Sequence, residues 1–241
     1  MEHELSIFRQ HVIEMGNLTE QMVLQVIDAL TQPNVQELVD QVMQNEVQLD
    51  QMQLDIDKEA IRLLTIYSPV AGDLRLIMSV SRITAELERI GDHAVNMCES
   101  LPLLLEESDF QLLPEVGKMA GVVKTMVSDA LNSFVQSDIG KAKATIASDN
   151  MVDAYNDQIV GELLSVEMVK ELLQGPKDVA GAMAQLLIAR SLERIADQAT
   201  NISEEVVYMV KGDDIRHQTF LGEPNNSCIN ERDQPRQRGS L

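Results

Sequence analysis

The segment ELERIGDHAVN at residues 86–96 returns at residues 192–201 as LERIADQATN, and this internal repeat limits the fold more than any other feature of the chain. Two further echoes lie upstream of each copy. IDAL at 27–30 matches SDAL at 128–131, and NEVQLD at 45–50 matches SDNMVD at 148–153. Counted from Ile27 to Ser128, from Asn45 to Ser148 and from Glu88 to Glu193, the offsets are 101, 103 and 105 residues. Chance does not hold three offsets so nearly constant, whereas one supersecondary unit written twice does. Two copies make a pseudosymmetric pair rather than a solenoid.

Each copy reads as three helices. Of the 241 residues, 44% are apolar but only 3% are aromatic, and Trp is absent. A chain rich in Met, Leu, Ile, Ala, Gln and Glu favours helices packed by aliphatic side chains over a sandwich or barrel. Pro33 closes the first helical stretch, with Asn34 as a cap and Glu37 three residues on for the second. That second helix runs to about Ile66. SPVAGD is a break and restart, with Ser68 as cap and Pro69 in the first turn of a third helix that continues past Asp92 toward Leu105. The pattern then restarts: a helix over Pro114–Gln136, a short SDIG turn, a long helix to about Leu173, a break at QGPKD, and a last helix ending at Lys211 before Gly212. The expectation is an all-α fold of two tandem pseudosymmetric three-helix bundles: residues 1–108, residues 109–212, and a polar, disordered tail over 213–241.

Charge narrows the partners. Lys and Arg number 19 against 39 for Asp and Glu, a net charge of −20, so a nucleic-acid backbone would be repelled and a cation or a basic protein surface attracted. Two cysteines, Cys98 and Cys228, are too few for a disulfide framework, and MEHELSIFRQ lacks the pattern of a secretion signal. The cytoplasm is the expected compartment. No apolar run approaches the ~18 residues of a membrane span, so no direct insertion is expected.

The repeated motif is acidic. On a helix Glu88, Asp92, Asn96 and Glu99 fall at about 0, 40, 80 and 20°, one stripe, while Leu87, Ile90, Ala94 and Met97 fall between roughly 180 and 260°. Glu193, Asp197, Asn201 and Glu204 reproduce the stripe. The second helix of each copy adds a pair spaced by four, Glu46 with Asp50 and Asp149 with Asp153. Like charges at that spacing destabilise a helix by about 0.2 to 0.5 kcal/mol per pair unless something compensates. A bound cation compensates. The competing reading is a solvated face neutralised by Arg89 and Arg194, which a single copy would favour; retention of the spacing at four places favours metal. All-oxygen donors suit Mg²⁺, Mn²⁺, Ca²⁺ or iron, with Zn²⁺ as a further candidate. His93 has no counterpart, since Gln198 stands in the second copy, and Cys98 reads as a packed thiol.

With ELERIGDHAVN, ARSLERIADQATNISEEVVYMVKGDDIRH and PVAGDLRLI, the chain resembles the PhoU family of bacterial phosphate-uptake regulators over about residues 5 to 217. The resemblance implies a six-helix pair of bundles whose acidic E(D)-x-x-x-D motifs hold multinuclear metal clusters on the surface. It implies a regulatory role, not an enzyme: a negative regulator of the phosphate-starvation response, linking the phosphate ABC transporter, through its ATPase subunit, to a phosphate-sensing histidine kinase. Carried over, the metal ligands are Glu88 and Asp92, Glu193 and Asp197, joined by Glu46, Asp50, Asp149 and Asp153 on the neighbouring helices, with iron, manganese, magnesium or zinc as the divalent or trivalent metal. It also implies a homodimer. Gln198 departs from the family, in which the second motif often has His, and DLR at 73–75 has no twin in the second copy.

Two other classes are weighed against the adaptor. A ferritin-like di-iron or di-manganese oxidase would want Glu-x-x-His motifs projecting into a bundle core. No Glu here is followed three residues later by His. A metal-free helical scaffold would leave the acidic pairs without a ligand. Nucleophile elbows and phosphate-cradling glycine loops are missing from the sequence.

Overall fold

The computed structural model describes residues 1–31, 36–105, 111–165 and 176–216. Among these residues there are six helices and no strands: α1 (Glu2–Ala29), α2 (Gln36–Tyr67), α3 (Ala71–Leu105), α4 (Pro114–Gln136), α5 (Ile139–Leu163) and α6 (Pro176–Lys211). The first three pack on one another, as do the last three, giving two tandem three-helix bundles. The bundles meet mainly where α3 lies along α6, with a smaller contact of α1 on α4. Arg82 reaches Glu205, Asn201 donates to Glu86, and Arg75 lies against Gly212, so α3 and α6 run antiparallel. One continuous hydrophobic cluster threads both bundles.

Buried side chains recur on α1 at Phe8, Val12, Met15, Thr19, Met22 and Val26, and on α4 at Val116, Met119, Val123, Met126 and Ala130. These three- and four-residue steps make a broad apolar face. The outer helices differ. On α2 burial falls at Val42, Leu49, Ile56 and Leu63, seven residues apart, with Ala60 between the last two, and on α5 at Thr145, Val152 and Ile159, also seven apart, with Ala142 and Leu163 flanking them. A seven-residue period makes a narrow seam, so residues flanking it stay partly in water.

The helix ends show how local chemistry sets the boundaries. Ser137 turns left-handed at φ 54° to stop α4, and Asp138 then caps α5 by accepting from the Lys141 amide at 3.1 Å. Gly212, at φ 82°, closes α6 after Lys211, as the sequence predicts. Two expectations are corrected. Ser68 ends α2 rather than capping α3: it is left-handed at φ 44° and its amide bonds the Leu64 carbonyl at 3.2 Å. Pro69 therefore precedes α3, which begins at Ala71. The fifth helix ends at Leu163, ten residues before the expected Leu173. Pro33, Asn34, His217 and Cys228 lie outside the described residues. Of the expected tail, Asp213–Arg216 are described, and Arg216 donates to Glu205 at 2.9 Å and to Asp214.

Candidate metal centre

Because the α2 seam is narrow, the residues beside Leu49 lie at its edge: Glu46 is half-buried and Asp50 exposed. On α3 the core side is Leu87, Ile90, Ala94 and Met97, all fully buried, and the opposite side carries Glu88, half-buried, and Asp92, exposed. The second bundle repeats this residue for residue. Asp149 and Glu193 are half-buried, while Asp153 and Asp197 are exposed. The arrangement brings α2 so close to α3 that a Cβ on Gly91 would stand 2.4 Å from Leu49 Cδ2.

The carboxylates of each bundle act on one another across the two helices. Burial, then Asp50 and Asp92, push Glu46 above the usual carboxylate range. Glu88 is raised by burial and then by Asp92 and Asp50, against a small opposing effect of Arg89. Asp92 is raised by burial and Asp50. In the second bundle burial, with Asp153, Asp197 and Glu193, moves Asp149 from 3.8 to about 6. Asp197 rises through burial and Glu193, with Arg194 opposing. All eight sequence-predicted residues therefore gather as two matched groups of four.

Of the eight, only Glu193 has an internal arginine as ion-pair partner among the described residues. Arg89 pairs with Glu86 at 3.1 Å, not with Glu88 or Asp92, and Arg190 pairs with Glu193 at 3.1 Å. Glu46, Asp50, Glu88, Asp92, Asp149, Asp153 and Asp197 have no ion pair or side-chain hydrogen bond among the described residues. Elsewhere on the surface carboxylates do find cations, as in Asp129 with Lys141 and Glu115 with Lys118. As the side chains stand, no three acidic, His or Cys groups among the described residues are close enough to enclose one ion.

The rest of the predicted stripe does different work. Asn201 donates to Glu86 on α3 at 3.3 Å, joining the bundles. Asn96 and Glu99 line a cleft with α6 instead of facing α2. Cys98 is buried, its thiol pushed up to about 12 by burial, which fits a packing role. His93 sits between the two systems, its ring lowered by burial and by Arg194. Sequence reasoning missed the cleft, whose basic side chains come from α6.

Comparison with known proteins matches the repeat directly. The family model described as PhoU domain covers residues 12–101 and again 116–206. The chain belongs to the PhoU family. It is 36% identical over 215 residues to a "Phosphate-specific transport system accessory protein PhoU homolog" of Aquifex aeolicus, covering 89% of this chain and 95% of that one. To the homologue of Pseudomonas putida it is 35% identical, over 89% of this chain and 82% of the other. The crystal structure of PhoU from Pseudomonas aeruginosa superposes with a TM-score of 0.81 at 34% identity, covering 88% of this chain and 99% of that one. These relatives are named as accessory proteins of a transport system, and PhoU is a family of accessory and regulatory proteins, not of enzymes. Among the described residues no helix is long and apolar enough to cross a membrane.

Proposed function

We propose that this PhoU protein is a cytoplasmic, metal-binding adaptor that restrains phosphate uptake and the phosphate-starvation response. It would act as a homodimer between the ATPase subunit of a phosphate ABC transporter and a phosphate-sensing histidine kinase. The observation that carries the metal part is the pair of matched carboxylate groups, in which only Glu193 has an ion-pair partner among the described residues. Family membership and the relatives' printed names support the tie to phosphate transport.

Glu46, Asp50, Glu88 and Asp92 would hold metal in the first bundle, and Asp149, Asp153, Glu193 and Asp197 in the second. Their hard oxygen donors fit magnesium, manganese or iron best, with zinc also compatible. A bound ion supplies neutralising positive charge and, on a carboxylate surface, a recognition feature. The chain's own part is to space the donors on two helices, in the first bundle gripped by Leu49 over Gly91, and to turn Arg89 toward Glu86 instead of toward Glu88 or Asp92.

Metal content measured on purified protein and on Asp92→Asn with Asp197→Asn tests this. Loss of most of the bound metal in the double variant, with helicity unchanged, is the expected result; unchanged metal content refutes the assignment. Pull-down from cells shifted between high and low phosphate tests the adaptor role. Recovery of the transporter ATPase or the kinase supports it, and recovery of neither refutes it.

A further inference from the structure

The two ends of the antiparallel contact between α3 and α6 are related by the repeat but are not alike. At one end Arg82 donates to buried Glu205 at 3.2 and 3.3 Å and lies over the Tyr208 ring, Asn201 bonds Glu86, Arg89 pairs with Glu86, and Arg216 comes back to Glu205. That end is filled. Offset by 105 residues, the counterparts at the other end are Leu187 for Arg82, Ser100 for Glu205, Leu103 for Tyr208 and Ser191 for Glu86. Both acidic partners are gone, a bulky ring has become Leu, and an open cleft of about 500 Å³ remains.

The charged residues left in the cleft are mainly basic. Arg190 replaces Ala85, so α6 presents two guanidiniums four residues apart, Arg190 and Arg194. Arg194 makes no ion pair or hydrogen bond among the described residues. Across the cleft stand His93 and Asn96, with the Asn96 amide 3.5 Å from His93 Nδ1, and the hydroxyl residues Ser100 and Ser191 lie beside them. Glu99 is the one acidic lining residue, and it is exposed. By contrast the cavity beside His11 is lined by Glu14, Asp55 and Glu59. Like-charged arginines at this spacing oppose helix stability just as paired carboxylates do. Arg190 meets Glu193 on its own helix at 3.1 Å, whereas Arg194 lines the cleft with no ion pair among the described residues of a chain carrying −20.

We propose that this cleft between α3 and α6 binds a phosphoryl dianion, held by Arg190 and Arg194 from one wall and by Asn96 and His93 from the other. Planar guanidiniums offer paired N–H donors that suit phosphate oxygens, and donors from two walls suit a tetrahedral group better than a flat carboxylate. The volume admits either inorganic phosphate or the phosphoryl end of a larger small molecule, with Leu103 and Leu187 available to its apolar part. The site shares Arg190 with the second acidic group through its ion pair with Glu193, while its other donors lie outside the eight carboxylates.

Calorimetric titration of the full chain as purified tests the assignment, with inorganic phosphate in one arm and adenosine monophosphate in the other. Saturable binding in at least one arm is expected, and the tighter arm identifies the source of the phosphoryl group. Arg194→Gln should weaken binding about tenfold or more, the loss of one charge-assisted donor. Ser191→Glu, which restores the acid of the closed end, should abolish it. Arg89→Gln removes the counterpart arginine outside the cleft and should leave binding unchanged, which guards against a general effect of lost charge. No saturable binding in either arm overturns the proposal. So does binding that survives Arg194→Gln but disappears on chelation of metal, since that puts the anion on the carboxylate groups.

Discussion

Asp149 feels three carboxylates at once, Asp153, Asp197 and Glu193, in a half-buried position, and the folded protein lifts it from 3.8 to about 6. A raised carboxylate binds its proton more tightly folded than unfolded, so the stability it contributes is complete below 3.8 and is lost as pH rises through about 6. In chelator, Asp149→Asn should therefore raise the melting temperature at neutral pH and change it little in mild acid; paired thermal melts check both. On the proposed metal assignment the same residue would set the acid limit of metal retention, because a ligand carboxylate must give up its proton. Metal bound by the second bundle should begin to leave as pH falls through about 6, and dialysis against buffers of stepped pH followed by metal analysis checks it. An Asp149 that titrates like an exposed aspartate would remove both effects.

At the level of the helix, the spacing of α2 against α3 depends on a pair of complementary volumes. Leu49 fills the space that Gly91 leaves, and the counterparts in the second bundle are Val152 and Ala196, a smaller side chain with a larger partner, all four buried. Gly91→Ala brings a Cβ to 2.4 Å from Leu49 and should destabilise the protein by about 1 kcal/mol after the gain in helix propensity. Leu49→Val in the same chain should return most of that loss, which a double-mutant cycle by denaturant unfolding measures. The helices themselves, their order, and all eight carboxylates were legible in the sequence, because each rests on spacing along one helix and on the repeat. Pro114 and Gly212 marked their boundaries for the same reason. The end of α5 was not legible, since no strong stop signal follows Leu163, and Ser68 was misread because its hydroxyl suggests a cap while its left-handed backbone ends the preceding helix. The α3/α6 cleft could not be read at all from either motif alone. It arises where two helices a hundred residues apart meet antiparallel and their counterpart positions differ.

Across the whole molecule, the repeat builds two similar acidic surfaces and then breaks its own symmetry at the line where the bundles join. One residue belongs to both systems. Arg190 lines the cleft and also donates to Glu193, a carboxylate of the second acidic group, at 3.1 Å. Whatever draws Glu193 away leaves Arg190 free to serve the cleft, so the two proposed sites would be linked through a single ion pair. Helix-surface pairs three or four residues apart are worth about 0.2 to 0.5 kcal/mol. Glu193→Gln should then tighten phosphate binding roughly twofold while weakening metal binding, opposite signs from one substitution. In an Arg190→Gln background the same change should no longer affect phosphate, because the shared residue is gone. Isothermal titration of phosphate and of manganese into the four proteins measures both responses. Parallel loss of the two affinities in Glu193→Gln would instead mean one composite site, with the anion bound through the metal and the cleft as a mere gap between bundles.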